Sequence, residues 1–73
     1  MTELDELCTK IADELHDAGS YAKMAQEHRA DNPELARVLH DISREEMEHF
    51  NRLHAEAVKM ADEIKKMQET FSA

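Results

Sequence analysis

Glu46 and His49 stand three residues apart in the stretch Glu45-Glu46-Met47-Glu48-His49. On a helix, that spacing places a carboxylate and an imidazole on one side, one turn apart. Carboxylate oxygen and neutral imidazole nitrogen are ligands for iron, manganese or zinc. A lone Glu-x-x-His in a Glu-rich chain is more often a solvated surface pair. What separates this one is its phase. Alternating steps of three and four select Leu35, Leu39, Ile42, Glu46, His49, Leu53, Glu56 and Met60, so Glu46 and His49 fall where a buried seam calls for apolar residues. The same steps in the first half select Leu4, Leu7, Ile11, Glu14, Ala18, Tyr21, Ala25 and His28, with Glu14 as the intruder.

Two helices must carry these residues. Thr2-Glu3-Leu4-Asp5 reads as a capping box with Asp in place of Glu, which starts a first helix near residue 3 and carries it to about residue 30. Asn32-Pro33-Glu34-Leu35 supplies an N-cap, a proline at the first helical position and a carboxylate at the positive end of the dipole. The turn is therefore residues 31–32, and the second helix runs from 33 to about 70. Gly19 lies among Ala18, Ala22 and Ala25 and reads as part of a small-residue face for close helix approach, with a kink near a functional site as the second reading.

So short a connection makes the helices antiparallel neighbours. Counting outward from the turn sets Glu14 opposite His49, with Glu46 one turn away on the same side, so all three intruders meet at one level. Unpartnered buried carboxylates and imidazoles cost several kcal/mol each. Two carboxylates and one imidazole leave excess negative charge, which a divalent cation resolves. The fold class is thus all-α, an antiparallel two-helix hairpin, and a twofold pairing of hairpins closes a four-helix bundle. Pairing doubles the ligands to two single Glu and two Glu-x-x-His units, the set found in carboxylate-bridged di-iron and di-manganese bundles.

Composition narrows the partners. The chain has 73 residues, of which 41% are hydrophobic at helical spacing, too many for a disordered segment. A chain this short without a disulfide framework needs a partner subunit or a metal as a staple. A net charge of -8 excludes nucleic acid and anionic membrane as partners and favours cations. Cys8 is the single cysteine, which fits a reducing compartment, and neither a signal peptide nor a membrane-spanning run is legible, so a soluble cytoplasmic protein is expected. Past about residue 61 the first helix has run out, yet Ile64, Met67 and Phe71 extend an apolar stripe. Such a stripe seeks burial against further dimers, giving a larger homo-oligomer such as a ring.

Glu14-Leu15-His16-Asp17-Ala18-Gly19-Ser20-Tyr21, Asn32-Pro33-Glu34-Leu35-Ala36 and Glu45-Glu46-Met47-Glu48-His49 together resemble the ferritin-like superfamily, nearest to its half-length encapsulated ferritin group. The similarity spans roughly residues 10–60. It implies a homodimer holding a di-iron ferroxidase centre, with Mn or Zn as substitutes for Fe, and an iron-storage role inside an encapsulin nanocompartment. It further implies Glu14 as a terminal carboxylate ligand, Glu46 as a carboxylate bridging both metals, His49 as the nitrogen ligand, and Tyr21 as a residue behind them. In that group acidic residues flank the first-helix Glu and form an outer metal-uptake site; here those positions read Asp13 and His16. No encapsulin-docking tail is legible, so the shell rests on the resemblance alone.

His16, His28, His40 and His54 read as solvated or rim residues, and Glu56 as a rim carboxylate that could serve a secondary cation site. The expected activity is oxidation of Fe(II) to Fe(III) between two protomers. The alternatives are a non-catalytic oligomer stapled by metal and a metal-free helical interaction module.

Overall fold

The computed structural model describes residues 2–72, the last through its backbone alone. Helix α1 spans Glu3–His28 and α2 spans Pro33–Ser72, and they pack as one antiparallel hairpin. The molecule measures 63 × 18 × 12 Å, one helix layer deep. Neither helix is long and apolar enough to cross a membrane among the described residues.

Local chemistry sets both starts. The Thr2 hydroxyl accepts from the Asp5 backbone N–H at 3.1 Å and the Asp5 carboxylate accepts from the Thr2 N–H at 3.2 Å, closing the expected capping box. Asn32 caps α2 by accepting from the Leu35 N–H at 3.2 Å, with Pro33 in the first turn. The connection is longer than the expected residues 31–32, because α1 stops at His28 and not at about 30. The Asn32 N–H donates to the His28 carbonyl at 2.9 Å, and the Asp31 carboxylate holds the His28 ring at 3.3 Å. Those bonds close the corner without any residue of positive φ.

The expected first-helix seam is the observed one: Leu4, Leu7, Ile11, Glu14, Ala18, Tyr21, Ala25 and His28 are the buried and half-buried residues of α1. In α2 the contact face is rotated from the expected phase. Leu39, Ile42, Glu46, Leu53 and Met60 are covered as expected, whereas Leu35, His49 and Glu56 are exposed and Ala36, Ser43, Phe50 and Ala57 take the covered positions. The cause is small side chains: Ala36 and Ser43 nest against α1, and the Ser43 hydroxyl donates to the Ala18 carbonyl at 2.7 Å. That buried bond between residues 25 apart fixes the register of the hairpin. The most buried apolar residues are Ala18, Ala25, Ala36 and Leu39, and no large side chain is fully enclosed. A core of three alanines and one leucine is thin for a chain of this length.

Gly19 plays neither part expected of it. A Cβ built on it meets nothing within 4 Å, and its φ is not positive. It lies on the outer, exposed side of α1. Gly19→Ala should therefore raise the unfolding free energy by about 0.5–1 kcal/mol, and Ser43→Ala should lower it by about 1 kcal/mol, both read from urea denaturation followed by circular dichroism.

Candidate metal centre

Glu14 from α1 and Glu46 and His49 from α2 converge at one level of the hairpin, as their spacing requires. The His49 Nδ1 lies 3.5 Å from Glu14 Oε2 and 3.7 Å from Glu46 Oε1. One ligand atom from each of the three residues fits within 4.8 Å of the others, and this is the one such group among the described residues. Bonds of about 2.0–2.2 Å to a shared ion would set neighbouring ligand atoms roughly 3 Å apart, so the three groups would have to draw together to coordinate one.

Burial is graded across the group. The Glu14 and Glu46 side chains are 23% and 20% exposed and that of His49 is 52% exposed, so the carboxylates sit in the seam and the imidazole stands at its open rim. Glu14 Oε2 is enclosed yet has no hydrogen-bond partner. An enclosed carboxylate oxygen without a donor is costly, and the nearest nitrogen, on His49, is too distant for a good hydrogen bond. The fit to a divalent cation rests on this oxygen together with the donor set. Both carboxylates offer hard oxygens, and sulfur is absent from this level.

The carboxyl groups of Glu14 and Glu46 lie close enough for each to shift the other's affinity for a proton. A hydrogen bond with Glu14 is the main reason that Glu46 is raised above the ordinary glutamate value, and burial and the charges of Glu14 and Asp17 add to it against the pull of His49. The same bond is the main reason that Glu14 is lowered, helped by His49 and Lys10 against the effect of burial. A cation bound by these carboxylates would compete with protons for the same oxygens.

An open groove of about 590 Å³ leads away from the group, lined by Glu14, His49, Arg52, Leu53, Ala55 and Glu56. Glu56 thus faces the same groove as His49, two turns further along α2, but is not in the metal-holding group. Asp13 and His16 stay exposed on α1 and are not in it either. Tyr21 is half-buried on the seam of α1, about 10 Å along the helix axis from Glu14. His54 stacks on Phe50 at 5.7 Å, and His40 stands 4.0 Å from Asp41. Lys10, Asp17 and Arg52 were not expected to bear on the site. Their signal was spacing: Lys10 and Asp17 are one turn either side of Glu14, and Arg52 is one turn past His49.

Comparison with family models, with curated proteins and with solved structures finds no match to this chain.

The opposed shifts of the two carboxyls give a pH signature with a definite sign. A carboxyl raised in the folded state contributes stability while it is protonated, and loses that contribution as pH rises from 4.5 through its raised value. Glu14, lowered, loses its contribution as pH falls from 4.5 through its lowered value. The melting temperature of metal-free protein should therefore be highest near pH 4.5 and decline from there toward each of those values. Glu46→Gln, which can still donate to Glu14, should flatten the alkaline decline and raise the melting temperature at neutral pH. The same change should weaken divalent-metal binding by more than about tenfold, read by calorimetric titration.

Proposed function

We propose that this chain is half of a ferroxidase, completed when two hairpins face each other across the open rim and place two Glu14–Glu46–His49 groups together. The observation that carries this reading is the buried, unpartnered Glu14 Oε2 beside Glu46 and His49. A site with two seam carboxylates and a half-exposed imidazole is one-sided, and ligands from a second copy would enclose it. The resemblance to encapsulated ferritins supplies the same arrangement and the iron chemistry, with an encapsulin shell as the implied enclosure.

On this reading Fe(II) is the substrate. Two Fe(II) ions give up one electron each, and dioxygen takes up both electrons with two protons to leave hydrogen peroxide and two Fe(III). Alternatively, hydrogen peroxide takes the two electrons and two protons and leaves two water molecules. Glu14 and Glu46 hold the ions by hard oxygens, which favour the ferric product, and His49 offers a neutral nitrogen from the rim. Binding competes with protonation of the two carboxyls. The net charge of -8 draws cations toward the groove, so uptake should slow with rising salt. Manganese or zinc would occupy the same ligands without the turnover.

Anaerobic protein mixed with Fe(II) and then exposed to air should develop ferric absorbance faster than buffer alone, while Glu46→Ala and His49→Ala should fall to near the buffer rate. Unchanged rates in both variants would reject the assignment. Metal-dependent association without oxygen consumption would favour the purely structural staple instead.

A further inference from the structure

The strongest unexplained feature is the end of α2. From Ala36 to Phe71 its face toward α1 follows one unbroken series of steps of three and four: Leu39, Ser43, Glu46, Phe50, Leu53, Ala57, Met60, Ile64, Met67, Phe71. Helix α1 covers this series only as far as Met60, because α1 begins at Glu3. Ile64, Met67 and Phe71 continue it at 43%, 60% and 87% exposure and line a shallow groove of about 370 Å³.

We infer that this overhang pairs antiparallel with the same overhang of a second copy, setting Ile64 of each chain against Met67 of the other. Continuity is the first reason. The stripe extends the α1–α2 interface in the same register, and a surface with that period is completed by another helix bearing the same period. In this chain the overhang is itself such a helix.

Charge is the second reason. Residues 61–72 carry two lysines against three carboxylates, a net of -1, which leaves -7 on the rest of a chain whose total is -8. An overlap confined to this segment therefore brings little like charge together. The positions flanking the stripe, Ala61, Gln68 and Thr70 with Glu63, include a single charge. Antiparallel pairing also places the two hairpin bodies, which carry the remaining -7 each, at opposite ends of the overlap, whereas parallel pairing sets them side by side, which like charges oppose.

An overlap this short buries less than the roughly 1,200–2,000 Å² typical of stable interfaces. It is weak alone and gains strength when hairpins are already joined elsewhere, since the second contact is then intramolecular. Its role is to link units into a larger assembly. The pairing requires no metal, so it stands apart from the ferroxidase reading.

The test is disulfide trapping in a Cys8→Ser background, with chelator present and the protein concentrated. Chains carrying Ile64→Cys with Met67→Cys should link into covalent dimers on mild oxidation by diamide. Chains carrying Phe71→Cys should not, since antiparallel pairing holds those positions roughly 16 Å apart along the axis, beyond the ~7 Å that a disulfide spans. Linking through Phe71→Cys, as parallel pairing would give, overturns the inference, and so does failure of the paired cysteines to link. As a second readout, Ile64→Glu with Met67→Glu lies outside the hairpin contact, so helicity should hold while sedimentation shows a smaller assembly. An unchanged assembly size in that variant also overturns it.

Discussion

Two carboxyl groups drawn to one level of a seam that closes on only one side set the terms for everything else in this molecule. Glu14 and Glu46 are held there by the apolar residues above and below them on each helix, and neither can swing fully into water without disturbing that packing. Their mutual repulsion is eased by protonation, which the neighbouring carboxyl favours at Glu46, and by His49 at the rim. Neither device is complete, because one oxygen of Glu14 still lacks a donor. A fold with so thin a core tolerates such a site only if something else compensates, and the candidates are few: protonation, a cation, or more protein over the open face.

The α1–α2 contact shows how the hairpin meets part of that cost. Alanines and Ser43 bring the helices close, and the Ser43 bond to the Ala18 carbonyl locks their register just one turn from Glu14 and Glu46. The closeness has a geometric consequence. By turning Ala36, Ser43, Phe50 and Ala57 toward α1, α2 rotates Leu35, His49 and Glu56 outward. The imidazole that completes the metal-holding group is thereby placed on the rim, where a second layer of helices could reach it.

Much of this was legible in the residues. The two helices, their caps and the α1 seam followed from Thr2-x-x-Asp5, Asn32-Pro33 and steps of three and four. The meeting of Glu14, Glu46 and His49 followed from the turn position. The phase of the α2 face was not legible, because Leu39, Glu46, Leu53 and Met60 fit two overlapping series that differ in whether 35, 42, 49 and 56 or 36, 43, 50 and 57 complete the face. Hydrophobicity favours Leu35 over Ala36, but close packing decided otherwise, and the buried Ser43 hydroxyl joins the face beside a half-buried Ile42. The length of the turn was missed for a similar reason: the His28–Asp31 contact and the bond to the His28 carbonyl belong to no strong sequence signal.

The rotation of α2 also separates two tasks that a small helical protein usually merges. Cohesion within the chain uses one edge of α2, lined by alanine, serine and Phe50, and the exposed edge bearing Leu35, His49 and Glu56 is left free of that duty. If the α2 face had taken the expected phase, His49 would lie under α1, shielded on both sides and unable to join ligands from another hairpin. With the observed phase, the seam carboxylates are oriented by the hairpin itself while the imidazole stays accessible. Positioning by one interface and completion by another is what a centre shared between two copies requires. Under the proposed sharing, the half-exposed imidazole is the group that a second copy would meet.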